Sequence, residues 1–225
     1  MLKAIIFDCD GVIANTEPLH FQALKKTLAD EAIALSEAEY YRDFLSFDDR
    51  GCFIKAFAKS AKAISDDKVT ELILRKADYF EPALHNDLQI FPGIPEFITQ
   101  AATTYPLAIV SGARRKEIAA ILQAANLKEF FPIIVSTEDV LNGKPHPEAF
   151  LTACERLNQV SDINIETQNR LVIEDSIHGV NAAHAAGMLC LAITNSYEKE
   201  LLSKADLVIA GLDSRSLEIA ASMFD

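Results

Sequence analysis

Tryptophan is absent from this 225-residue chain, which removes one favoured aromatic platform for stacking nucleic acids or sugars. Cysteine is scarce and scattered. Cys9, Cys52, Cys154 and Cys190 form no CxxC pair and no Cys/His group with zinc spacing. A reduced cytoplasmic protein is the expectation. No stretch approaches the ~18 uncharged apolar residues of a spanning helix. The first apolar run, Ala4 to Phe7, is ended by Asp8 and Asp10, the pattern of neither a signal peptide nor an anchor. Positive charge is also in short supply. Twenty-one Lys and Arg against 33 Asp and Glu leave a net charge of −12. Neither nucleic acid nor an anionic membrane is an expected partner of such a surface. A small anionic substrate remains compatible, because one pocket can be basic under an acidic exterior.

What the chain has is apolar mass. Half its residues are hydrophobic, so a chain of this length can bury roughly 70% of its unfolded surface. Disorder and coiled coil are excluded as the main reading. Short apolar runs at Leu2 to Phe7, Leu107 to Val110, Ile133 to Val135, Arg170 to Ile173, Leu189 to Ile193 and Leu207 to Ile209 predict strands buried on both faces. Helical patterns lie between them at Lys116 to Ala125, Pro147 to Leu157 and Gly179 to Ala186, with Gly187 as the C-cap, and at Glu198 to Lys204. This alternation predicts an α/β fold, a Rossmann-like open parallel sheet. Residues 16–85 differ. They read as helices at Thr16 to Ala29, Leu35 to Leu45, Arg50 to Ser60 and Asp66 to Leu84, with Thr16 as a cap and Pro18 in the first turn. The expected layout is a core of residues 1–15 and 86–225 with an all-helical insertion of residues 16–85.

Polar chemistry gathers at the predicted strand ends, where open parallel sheets place their ligands. Asp8 and Asp10 end the first strand, Ser111 the second, and Glu174 and Asp175 the fourth; Lys144 follows the third in GKPHP. Carboxylates crowded at one edge repel one another and are poorly solvated. A divalent cation resolves that cost, and magnesium suits oxygen ligands and phosphate. Asp8 and Asp10 can divide the work of nucleophile and proton carrier, in an order the spacing leaves open. Ser111, with the Gly112 and Ala113 amides ahead of a helix, makes an anion cradle, and Lys144 adds a point charge. The set matches the needs of phosphoryl transfer.

The pattern resembles the haloacid-dehalogenase-like hydrolases, in the helical-cap branch that includes phosphoglycolate-phosphatase-like and β-phosphoglucomutase-like enzymes. Its four motifs match Asp8-Cys9-Asp10-Gly11-Val12, Ser111 in IVSGA, Lys144 in GKPHPE, and Glu174-Asp175 in EDSIHG. The resemblance implies that Asp8 is the nucleophile forming an aspartyl-phosphate. It implies that Asp10 is the general acid/base and ligates Mg2+ through its carbonyl. Ser111 and Lys144 would stabilise the phosphoryl group, and Asp8, Glu174 and Asp175 would complete the metal site. In the cap it implies substrate contacts from Thr16, His20, Arg50 and Lys76, although Arg50 and Lys76 read equally as surface charges and His20 as structural. The implied activity is a Mg2+-dependent phosphatase acting on a small phosphorylated metabolite, with a phosphosugar mutase as the alternative and a non-catalytic binding protein behind both. A monomer is implied, because a cap of this branch closes on its own core.

Overall fold

The computed structural model describes residues 1–45, 47–161, 164–213 and 215–224. In chain order the elements are β1 (Ala4–Phe7), α1 (Glu17–Asp30), α2 (Glu37–Asp43), α3 (Asp49–Lys59), α4 (Asp66–Asp87), α5 (Ile94–Ala102), β2 (Leu107–Val110), α6 (Arg115–Ala124), β3 (Ile133–Val135), α7 (Glu148–Ser161), β4 (Arg170–Glu174), α8 (Ile177–Ala185), β5 (Leu189–Ile193), β6 (Leu207–Ile209) and α9 (Ser216–Ser222). The chain divides into two compact units, Met1–Asn15 with Gln89–Asp225, and Thr16–Leu88. Among the described residues no helix is long and apolar enough to cross a membrane.

The first unit is built on a parallel sheet of order β3-β2-β1-β4-β5-β6. The strands are short and nearly continuous in Ile, Val, Leu and Ala, because both faces are covered and no alternation is required. On one face Ile6, Val110, Val135 and Val172 pack with Phe150, Leu157, Val180 and Ala183 of α7 and α8. On the other, the Phe7 ring meets Phe97 of α5 and Phe131 edge-on, at centroid distances of 6.0 and 5.5 Å. The strand order reverses direction between β1 and β4, which makes the carboxyl ends of those two strands the natural ligand crevice. The segments that leave and re-enter this unit pair with each other, Asn15 N–H on the Gln89 carbonyl (2.8 Å) and Phe91 N–H on that of Ile13 (3.1 Å).

The second unit is helical and has its own core, in which Phe21, Leu24, Leu28, Tyr40, Phe44, Phe53 and Leu72 are buried. Side-chain oxygens start three of its helices by accepting orphan amide protons: Ser36 from Glu39, Asp48 from Gly51 and Ser65 from Lys68.

Several local expectations need correction. Glu198 to Lys204 is not a helix but a chain of turns, closed by Leu201 N–H on the Glu198 carbonyl and Leu202 N–H on that of Lys199. So short a segment cannot repay helix nucleation, and burying Leu202 needs only a turn. Thr16 stands at the N-cap position of α1 without a side-chain capping bond, in helical rather than extended backbone. Helices α5 and α9 had no counterpart in the sequence reading; α5 is hidden behind Pro92, Gly93 and Pro95, which read as a connector although Pro95 sits in the helix's first turn. Gly187, at φ +75°, does follow the end of α8.

Asp139 ties the loop after β3 to two helices. Its carboxylate accepts from Ser136 N–H (2.8 Å) and Oγ (2.7 Å), from Arg115 (2.6 Å) and from Arg156 (2.9 Å). Burial works against the charge, but Ser136, Arg156 and Arg115 outweigh it and hold the carboxyl well below its ordinary range. A depressed pKa stabilises the fold above the unfolded value and loses that contribution as pH falls through the folded one. Asp139→Asn is therefore expected to cost about 1–2 kcal/mol at pH 7. Urea denaturation should show its deficit against wild type shrinking below about pH 4; a deficit independent of pH would contradict this account.

Candidate active site

Each strand delivers its polar residue at the same edge because in-register parallel pairing aligns their ends. Ile6 and Phe7 pair with Val172 and Ile173, and with Ala108 and Ile109 on the other side. The pairing runs one residue further, with Asp8 N–H on the Ile173 carbonyl (2.9 Å) and Ser111 N–H on that of Val135 (3.0 Å). Asp8, Ser111, Glu174 and Asp175 are all buried there.

Lys144 is the centre of the group. Its ammonium donates to Asp8 Oδ1 (2.5 Å), Glu174 Oε1 (2.6 Å) and the Val110 carbonyl (3.0 Å). Burial disfavours the ammonium, but Asp8 and Glu174 outweigh it and keep it above its ordinary pKa. The loop that carries it is held from α7: Glu148 accepts from Leu141 N–H (2.8 Å), Asn142 N–H (3.1 Å) and the Asn142 amide (2.8 Å).

The four carboxyl groups have distinct surroundings. Burial pushes the Asp8 carboxyl up; Lys144 opposes the rise, while Glu174 and Asp10 add to it. Asp10 accepts from Ser111 Oγ (3.0 Å), which in turn accepts from Ala113 N–H (2.9 Å). Ser111 thus holds Asp10 as well as the amide expected to meet phosphate. Glu174, fully buried, uses Oε1 on Lys144 and Oε2 on Asp175 N–H (3.0 Å), Ser176 N–H (3.1 Å) and Ser176 Oγ (2.9 Å). Its role on this geometry is counter-ion to Lys144 and acceptor for the turn into α8. Asp175 accepts from Ser196 Oγ. One carboxylate oxygen each from Asp8, Glu174 and Asp175 lie within 4.8 Å of one another. This all-oxygen, acidic donor set fits a hard divalent cation and not a soft one. Cys9, between the two aspartates, is fully buried, and burial together with Asp10 and Asp8 pushes its thiol well up, so it packs rather than reacts.

Two glycines make room for these acids. Gly11 has φ +77°, and a Cβ there would overlap the Asp175 carboxylate; a Cβ on Gly179 would overlap that of Glu174.

In the helical unit, His20 and Lys76 come together. Lys76 is buried, not a surface charge; its ammonium meets His20 Nδ1 at 3.0 Å and the Asp49 carboxylate. The His20 ring stacks on Phe80, with centroids 4.2 Å apart. Arg50 is not in this cluster: it is exposed and paired with Asp66 at 2.6 Å. Thr16 is fully buried.

Three site residues were missed by the sequence reading. Asn195 and Ser196 lie in the turn after β5, and Asn195 donates to the Gly11 carbonyl (2.7 Å). The strand-end rule that exposed Asp8 and Glu174 applies equally to the polar Thr194-Asn195-Ser196 after Ile193. Asp49 carried no signal, because a carboxylate near a helix start is ordinary.

The family model of haloacid dehalogenase-like hydrolases matches residues 5–193. Phosphorylated carbohydrates phosphatase of Thermotoga maritima is 30% identical over 189 residues, 83% of this chain and 82% of that protein. Validoxylamine A 7'-phosphate phosphatase of Streptomyces hygroscopicus subsp. limoneus is 26% identical over 213 residues, 94% and 95% of the two chains. The crystal structure of β-phosphoglucomutase from Clostridium difficile has the same fold, with a TM-score of 0.85 at 24% identity, covering 100% of this chain and 97% of that one.

Gly179→Ala is expected to displace Glu174 and to destabilise the protein by about 1–3 kcal/mol, a fall of several degrees in Tm for a chain of this size. Gly143→Ala, where a Cβ meets open space, is the control. Equal melting temperatures for the two variants would contradict the packing argument.

Proposed function

The chain belongs to the haloacid dehalogenase-like hydrolase family, and on that premise we propose that it is a magnesium-dependent phosphatase. Its substrate is a small organic phosphate or phosphosugar, hydrolysed through an aspartyl-phosphate on Asp8. The observation that carries this reading is the half-buried Lys144 bridging the buried Asp8 and Glu174 beside an Asp10 held by Ser111.

Asp8 attacks phosphorus, and the P–O bond to the leaving alcohol breaks. Asp10, protonated in this step, gives its proton to the leaving oxygen. It then takes a proton from the water that hydrolyses the aspartyl-phosphate, so its protonation state is restored at the end of the cycle. Lys144 stays beside Asp8 and neutralises the charge on the phosphoryl oxygens, while Ser111 orients Asp10. Asp8, Asp175 and the Asp10 carbonyl would hold magnesium, with Glu174 as a further ligand, direct or through water. When bound, the ion supplies positive charge to a site where four carboxyl groups otherwise share one ammonium.

The helical unit is proposed to set substrate specificity, through Thr16, His20 and Lys76. A phosphosugar mutase is the second reading, favoured by the meeting of His20 with Lys76. Against it, Lys76 is matched by Asp49, while Arg50 lies on the surface in an exposed pair with Asp66, outside the His20–Lys76 cluster.

Phosphate release from a panel of sugar phosphates, phosphoglycolate and nucleotides tests the proposal. Release from one or two compounds is expected, abolished by EDTA and lowered more than about 10³-fold in Asp8→Asn. Release undiminished in Asp8→Asn would overturn it. Conversion of a hexose 1-phosphate that needs a bisphosphate activator, with little free phosphate, would select the mutase.

A further inference from the structure

The turn after β5 takes part in the site although no motif marks it. Ser196 Oγ donates to Asp175 Oδ2. Its neighbour Asn195 donates to the carbonyl of Gly11 at 2.7 Å. Gly11 is the residue after Asp10, in a tight turn closed by its own N–H on the Ala14 carbonyl (2.9 Å) and by Ile13 N–H on that of Cys9 (2.8 Å). A Cβ on Gly11 would strike Asp175 and come within 2.9 Å of Ser196 Oγ. The segments that follow β1, β4 and β5 therefore close on one another within hydrogen-bonding distance.

We infer that Ser196 and Asn195 are positioning residues for the cation-binding face of the site, a conclusion that rests on the metal-dependent reading above. A carboxylate turns easily about its Cβ–Cγ bond and can offer a cation either oxygen or both. The hydroxyl of Ser196 takes one Asp175 oxygen and stops that rotation, so the group meets a cation already oriented. Asn195 does the same for the main chain: by holding the Gly11 carbonyl it fixes the peptide that follows Asp10 and with it the turn that presents Asp10. Neither residue touches the reacting atoms. Both reduce the ordering that a cation would otherwise have to impose, and outer-shell partners of this kind typically change metal affinity 10–100-fold.

The test uses Mn2+ as the probe and reads binding directly, by the EPR signal of free Mn2+ during titration of the full-length protein without substrate. Ser196→Ala is expected to bind Mn2+ about 10-fold more weakly than wild type, and Asn195→Ala to weaken it in the same direction. Ser196→Thr, which keeps the hydroxyl, is expected to stay near wild type. In turnover, the Mg2+ concentration for half-maximal rate should rise in Ser196→Ala, with most of kcat recovered at saturating Mg2+. A merely structural role would lower Tm and leave the Mn2+ affinity unmoved, and that result overturns the inference. If Ser196→Ala does not fold, Ser196→Cys replaces it, with the same expected weakening and the same overturning result. Wild-type protein that binds no Mn2+ overturns the metal reading itself, a failure distinguishable from wild-type binding that the variants leave intact.

Discussion

A single ammonium buried between two carboxylates is the interaction on which the rest of the core unit depends. Lys144 reaches the sheet edge from a loop, and there it meets Asp8 from β1, Glu174 from β4 and a main-chain carbonyl from β2. None of these partners could be left alone at that depth. A buried carboxylate without a counter-charge protonates or forces the structure open, and a buried ammonium does the converse. Burial still pushes the Asp8 carboxyl up, with Lys144 opposing the rise. Much of the local structure serves this pairing: Glu148 holds the lysine loop, the amides after β4 saturate the far side of Glu174, and Gly179 leaves the volume its carboxylate occupies.

The sheet supplies the rigidity such a cluster requires. Parallel pairing in register puts the ends of β1, β2 and β4 level, and apolar packing on both faces removes the freedom to slip. A one-residue shift would exchange the two buried faces of a strand and carry its terminal acid away from the others. The topological reversal between β1 and β4 opens the crevice at the point where the acids converge. Chemistry that depends on sub-ångström placement is thus mounted on the least deformable part of the fold.

The helical unit follows a different logic. Its own core mixes aromatic and aliphatic side chains, and the buried Lys76 ammonium is matched within the unit by Asp49 and His20.

How much of this was legible beforehand depends on the range of the interaction concerned. Strand positions were readable because burial on both faces demands short continuous apolar runs, and the acids ending them stood out because charge directly after such a run is costly. Asp8, Asp10, Ser111, Lys144, Glu174 and Asp175 were therefore visible as a set, and the resemblance to a family supplied their roles. Other features were decided only by the tertiary structure: that Ser111 holds Asp10, that both oxygens of Glu174 are engaged by the protein, that Lys76 is buried against Asp49 while Arg50 lies outside on Asp66, and that Asn195 and Ser196 join the site. Each of these is a contact between residues distant along the chain, or a choice among neighbours of equal local propensity. Periodicity and composition register how a residue meets solvent or core, and that much is written along the chain; which partner a polar atom takes depends on distances that exist only once the strands are side by side.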